Sequence, residues 1–176
     1  MTAVATPPKH AASSAAPLAD ALVGDGVLVL HDVRIPQLDS TIDHVAVSTS
    51  GVYVIDAKRY HGTPQHLVQG GFLSPGSATL LVGRRDCSRL LHSVREQVAF
   101  IEAALAADPN WAEVPVHGVL CFIDEEWRPL SGAVSIDGVD VLWPQKVADR
   151  VRTPGRVTAY TVTAVHHFFR TALLAA

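Results

Sequence analysis

The sequence predicts an α/β domain built on a mixed β-sheet. Three observations carry this. Val27–Ile35 and the stretch 41–59 are rich in β-branched and aromatic residues and are cut by turn residues. Residues 87–106 repeat apolar side chains at helical spacing, and Val116–Ile123 is a near-continuous apolar run of the kind covered on both faces. Strands first, then helix, strand and helix, is an α/β order.

Taken in order, residues 1–17 form an Ala/Ser/Pro-rich tail, expected to be mobile, and residues 18–176 form a single domain. Leu18–Val23 reads as a short helix stopped by Gly24-Asp25-Gly26. Val27–Ile35 reads as a strand ended by Pro36, and residues 37–40 as a polar connection. The stretch 41–59 reads as a hairpin with strands 41–49 and 52–59 around Ser50-Gly51. After a turn at Gly62, His66-Leu67-Val68 is a weak strand before Gly70-Gly71, and Ala78–Val82 is another, closed by Gly83.

In the helix 87–106, Leu90, Leu91, Val94, Gln97, Val98, Ile101 and Leu105 share one stripe, with Asp86 or Ser88 as cap and Asp108-Pro109 as stop. Gln97 is an amide within an apolar stripe. Val134–Ile136 and Val139–Trp143 read as short strands split by Asp137-Gly138. Pro144 opens a helix to about Val151, and residues 158–174 form the last one.

Composition narrows the function. The chain has 176 residues, 48% of them hydrophobic, enough for a sizeable core. A net charge of −3 excludes a global basic field, so any binding of nucleic acid must use a local patch. No run approaches the roughly 20 apolar residues that span a bilayer. The expectation is a cytoplasmic protein with no membrane partner. Cys87 and Cys121 lack ligand spacing and read as free thiols. The nine histidines show no zinc pattern, and His44 faces away from its neighbour Asp43.

Inside the apolar hairpin stand Asp43, Asp56 and Lys58, and charges are rarely placed in buried strands without a partner or a task. A two-residue turn at Ser50-Gly51 pairs Thr49 with Val52, Val47 with Val54, Val45 with Asp56 and Asp43 with Lys58. All three charges then fall on one face near one end of the hairpin. A strand-end salt bridge is one reading of this cluster. The other is a divalent-metal phosphodiester site. In it Asp43, Asp56 and the Ala57 carbonyl offer hard oxygen ligands, and Lys58 serves the attacking water or the developing charge. Arg84, Arg85, Arg89 and Arg95 are candidates for phosphate contact.

An Asp followed by Asp-x-Lys on a hairpin resembles the PD-(D/E)xK nucleases. More narrowly, His31-Asp32-Val33-Arg34-Ile35-Pro36, Ile42-Asp43-His44-Val45 and Gly51–Tyr60 with Gly62 resemble the nuclease-related domain (NERD) of bacterial proteins. The likeness continues through Gly83-Arg84-Arg85-Asp86, the helix bearing Gln97, Leu120–Ile123 and Leu142-Trp143-Pro144, over roughly residues 27–150. The resemblance implies a restriction-endonuclease-like fold and Mg2+- or Mn2+-dependent cleavage of DNA. It assigns Asp43 and Asp56 as metal ligands, Lys58 as the catalytic lysine and Gln97 as a polar helix residue facing the site. The family usually opens on a Gly-Glu helix, whereas here the region up to Leu18 holds no glutamate and Asp20 is the acid close by. A domain that keeps the fold and binds DNA or a partner without cutting is the alternative reading.

Overall fold

The computed structural model describes residues 16–24, 26–35, 40–59, 64–69, 77–82, 84–123 and 133–173. Most of the expected tail, the connection after Pro36, the Gly62 turn and Gly70-Gly71 lie outside these residues. The elements run α1 (Ala16–Leu22), β1 (Leu28–Ile35), β2 (Ser40–Ser48), β3 (Gly51–Lys58), β4 (Pro64–Gln69), β5 (Ser77–Val82) and β6 (Arg85–Asp86). There follow α2 (Ser88–Ala106), β7 (Val116–Phe122), β8 (Val134–Ile136), β9 (Val139–Leu142), α3 (Pro144–Val151) and α4 (Ala159–Leu173).

Six strands form a mixed sheet in the order β1-β2-β3-β7-β9-β8, with β3–β7 and β7–β9 parallel and the other neighbours antiparallel. The α/β expectation with a mixed central sheet flanked by helices holds. A second, three-stranded sheet, β4-β5-β6, departs from the single sheet expected. Its cause is topological. Both edges of β3 are taken, by β2 and β7, so the excursion between β3 and α2 pairs within itself.

The hairpin turn sits one residue earlier than expected. Ser48 pairs with Gly51, Val47 with Val52 and Val45 with Val54, which leaves Thr49-Ser50 as the turn. Gly51 is needed for a different reason. Its φ is +132°, and a Cβ there would lie 2.5 Å from the Pro115 carbonyl oxygen. That carbonyl accepts the Val52 N–H at 2.8 Å, so the glycine lets β3 start tight against the segment entering β7. Ser50 closes the turn, its hydroxyl reaching Ser48 Oγ, Tyr53 Oη and the Val151 carbonyl. Moving the turn by one residue shifts the register by two, which preserves side-chain parity. Continuing the count past the last pair, His44–Ile55, places Asp43 opposite Asp56 and not opposite Lys58.

Each face of the sheet has its own helices. Val45, Val47, Val52 and Val54 pack with Ile101 and Leu105 of α2 and with Val162, Val165 and Phe169 of α4. Ala46, Tyr53, Ile55, Val119 and Cys121 pack with Leu18 and Leu22 of α1 and with Val147 and Val151 of α3. The first half of α2, at Leu91 and Val94, meets Leu120 and Phe122 of β7. Helix α2 therefore runs antiparallel to β7, and its start lies at the carboxyl end of β3 and β7. Burial on both sides explains the continuous apolar run in β7. Its N-cap residue is Cys87 and makes no side-chain cap bond. Of the two expected cappers, Ser88 is engaged elsewhere, its Oγ accepting the Leu80 N–H, whereas Asp86 does close the helix start by accepting the Ser88 N–H.

The last third of the chain is tied to the first. Arg152 donates to the carbonyls of Ala21 and Val23, both at 2.7 Å, closing the end of α1. The Tyr53 hydroxyl donates to the Arg150 carbonyl, and the Val157 N–H donates to the Thr49 carbonyl. Cys87 and Cys121 are free and buried, and burial pushes both thiols up in pKa, away from reactivity. No described helix is long and apolar enough to cross a membrane.

Candidate functional site

Where the sheet's core ends, β3 carries its charges. The β2–β3 ladder stops at His44–Ile55, and the Asp43 carboxylate accepts the Ala57 N–H at 2.7 Å. Lys58 Nζ donates to Asp56 Oδ1 at 2.5 Å and stands 3.6 Å from Asp43 Oδ2. The two carboxylates and the ammonium thus converge on one group of atoms. The side chains of Asp43 and Lys58 are 31% and 30% exposed, whereas that of Asp56 is 6% exposed. One carboxylate is thus buried, while the other and the ammonium reach solvent.

The way β2 leaves β3 is visible in its other neighbour. Leu30–Val45 and Val33–Ile42 are cross-strand pairs three residues apart, yet both face the core under α4. Strict alternation requires an even spacing, so β1 and β2 turn over together between these pairs. Asp32, with φ at +52°, lies in that interval, opposite Asp43 in the count.

Burial pushes the Asp56 carboxyl up to about 6. The Lys58 ammonium pulls against this shift and Asp43 adds to it. Burial alone would lower Lys58, but the Asp56 and Asp43 carboxylates together outweigh it and raise the lysine above its ordinary value. With all three ionised, the cluster carries one net negative charge.

Gln97 is buried on α2. Its Nε2 donates to the Thr41 carbonyl at 3.5 Å, and its Oε1 is buried without a partner. The helix therefore holds β2 two residues before Asp43, at the point where the strand has left β3. The carbonyl of Lys58 accepts from Ile123, just past the end of β7, so by strand alternation both backbone polar groups of Ala57 face β2. One is taken by Asp43; the Ala57 carbonyl opens toward the gap that β2 leaves.

The nuclease-related domain (NERD) family matches residues 11–123. The chain belongs to the NERD family. Comparison with curated proteins and with solved structures finds no match. The NERD match starts ahead of α1 and ends with Ile123. It begins earlier than the likeness read from residue 27, and it stops short of Leu142-Trp143-Pro144. Asp43, Asp56, Ala57, Lys58, Gln97, Arg84, Arg85 and Arg89 all fall within it.

The three arginines are exposed, Arg84 and Arg85 in the β5–β6 hairpin and Arg89 in the first turn of α2, near the sheet end that bears the charged cluster. They do not join the cluster itself; Arg89 acts on Asp86. His44 lies outside it too. His44 is buried opposite Ile55, with its Nδ1 2.7 Å from His31 Nδ1, and burial, aided by His31, lowers it to about 4. It is neutral at physiological pH. Nothing local in the sequence marks this His31–His44 pair, because only the β1–β2 register brings the rings together.

The oxygens gathered here have a definite chemistry. Two carboxylates and a backbone carbonyl are hard donors, and the Gln97 Oε1 on the neighbouring helix is buried without a partner. Mg2+ and Mn2+ take one or two protein carboxylates and fill the remaining positions with water and phosphate oxygens. Among the described residues no group of three or more His, Cys, Asp and Glu is placed to hold a metal, which disfavours an all-protein cage.

Proposed function

We propose that this NERD protein is a Mg2+- or Mn2+-dependent nuclease that hydrolyses DNA phosphodiester bonds on a restriction-endonuclease-like fold. The observation that supports it is the Lys58 ammonium shared by two carboxylates at a splayed strand end, 2.5 Å from Asp56 and 3.6 Å from Asp43. Asp43, Asp56 and the Ala57 carbonyl would hold the ion. When bound, the divalent ion makes a coordinated water more acidic and neutralises charge on the phosphate.

The chain's own groups supply the rest. Asp56 is ionised above about pH 6 and turns one oxygen toward Lys58. Lys58 stays protonated among its carboxylates, so it orients a water or a phosphate oxygen and offsets negative charge as it develops there. Asp43 fixes the end of β3 through the Ala57 amide while keeping a second oxygen for the ion. Gln97 holds β2 apart from β3 through Thr41.

The test is an incubation of labelled single- and double-stranded DNA with Mg2+ or Mn2+, in parallel with Asp56→Asn and Lys58→Ala variants of unchanged circular dichroism. Fragments from the wild type alone support the reading. An intact substrate in every lane sinks it.

A second reading rests on the two-carboxylate set, which no further acid completes among the described residues. In it the domain binds DNA or a partner protein and does not cut. DNA binding in EDTA that Asp56→Asn leaves unchanged, with no turnover in any metal, is its signature.

A further inference from the structure

The distribution of charge along the sheet rim carries an inference about how a substrate lies. The chain is net acidic, at −3, yet the carboxyl end of β3 and β7 is ringed by exposed arginines. Arg34 on β1 pairs with exposed Thr41, two residues before Asp43. Arg84, in the turn between β5 and β6, and Arg89, in the first turn of α2, lie on the far side of β3, where α2 packs on Leu120 and Phe122. Across the sheet the order is Arg34 on β1, Asp43 on β2, Asp56 and Lys58 on β3, then β7, whose carboxyl end meets the first half of the helix that bears Arg89. The catalytic cluster sits between two cationic flanks.

Stability does not explain Arg34 and Arg84, while Arg89 has the exposed Asp86 as a charged neighbour. Among the described residues Arg34 and Arg84 have no ion-pair partner. Helix α2 carries Arg89 in its first turn with no acid there, and its acids Glu96 and Glu102 follow its bases Arg89 and Arg95. The positive end of a helix dipole favours acidic residues, so this order is the reverse of the stabilising one. A polyanion at this rim reverses the sign of that cost. The buried, partnerless Oε1 of Gln97, on the same helix, is an independent mark of an unfinished polar site at this end.

We propose that Arg34 on one side and Arg84 with Arg89 on the other form the two halves of a phosphate track, along which one nucleic-acid strand crosses the sheet rim with its scissile phosphate at Lys58. This deepens the phosphodiester reading of the site and rests on it. From β1 to β7 is three strand spacings, about 14 Å. A track of that length takes a few nucleotides of one strand. Its specificity is for the sugar-phosphate backbone, since arginines on phosphates position a strand and do not read bases.

The test is fluorescence anisotropy in EDTA, where no cleavage occurs, with a labelled 12-nucleotide single strand and the matching duplex, across a salt series. Arg34→Gln and Arg84→Gln are each expected to weaken binding several-fold. Each should also reduce the slope of log K against log salt, by about 0.7 for the single strand or about 0.9 for the duplex. Arg156→Gln, exposed beside Ser50 at the opposite end of the sheet, is expected to leave the slope unchanged. A slope unaffected by either Arg34→Gln or Arg84→Gln overturns the track, as does wild-type protein that binds neither probe. Cleavage with Mg2+ separates the two readings. Wild type that cuts while both slopes stay unchanged loses the track and keeps the nuclease. Slopes that fall as expected without any cutting keep the track and remove the nuclease.

Discussion

The Asp43 carboxylate binds the Ala57 amide at 2.7 Å, one step past the last pair of the β2–β3 ladder. A side chain thus completes a backbone bond that the departing strand no longer makes. The same oxygen lies 3.6 Å from Lys58, so Asp43 has a structural duty and an electrostatic one.

The two duties separate by substitution. Asp43→Asn keeps an oxygen for the Ala57 amide and should leave stability within about 0.5 kcal/mol, whereas Asp43→Ala strands that amide and should cost about 1–2 kcal/mol. Both variants are expected to lose cleavage. Urea denaturation beside the nuclease assay checks this; equal stability of the two variants refutes the structural duty.

Asp56 sets a pH dependence whose sign follows from its raised pKa. The folded state holds this proton up to about pH 6, while the unfolded chain releases it near 3.8. The stabilisation is full below the lower value and lost as pH rises through the upper one, a difference of about 3 kcal/mol at most. In metal-free protein Asp56→Asn should therefore be more stable than wild type at pH 7.5, with the advantage gone near pH 4. Thermal melts in EDTA at both pH values measure it. Metal affinity should climb as pH passes 6, because the ion needs the carboxylate.

The fate of the hairpin shows what the sequence made legible. Alternation alone placed Asp43, Asp56 and Lys58 on one face, and the cluster forms, but not by alternation alone. The register shift of two keeps parity, β2 then turns over between Val45 and Ile42, and the Asp43 carboxylate reaches Lys58 while bound to the Ala57 amide. The pairing partners were wrong because Gly51 is required by a contact with the Pro115 carbonyl, 64 positions along the chain, and not by a turn preference that a local rule reads. Helical period revealed α2 and the odd Gln97, yet not the Thr41 bond, which joins residues 56 apart. The His31–His44 pair and the Arg152 clamp on α1 were invisible for the same reason: neither has a short-range signature.

Gln97→Leu removes a buried amide oxygen that lacks a partner and loses one long bond to Thr41. Replacing a half-satisfied polar group with an apolar one of similar size should leave stability within about 1 kcal/mol of wild type. Cleavage is expected to fall, because β2 loses its tether beside Asp43. A variant with full activity removes Gln97 from the site.

Gly155 is pressed against the hairpin turn. A Cβ there would lie 2.1 Å from the Thr49 carbonyl oxygen and 2.4 Å from Ser50 Cα. Gly155→Ala forces backbone to move, so a loss of about 1–3 kcal/mol is expected from chemical denaturation. A neutral result means that the 153–157 segment yields freely.

That contact is one of several by which residues beyond Ile123 hold the family segment together. A polypeptide ending at Ile123 retains every residue proposed to bind metal or phosphate. It lacks Val147 and Val151 beneath one face of the sheet, and Val162, Val165 and Phe169 beneath the other. Each face of the central hairpin then keeps only part of its cover, Leu18 and Leu22 of α1 on one side and Ile101 and Leu105 of α2 on the other. The segment that the NERD family matches thus ends short of the two helices that complete its core.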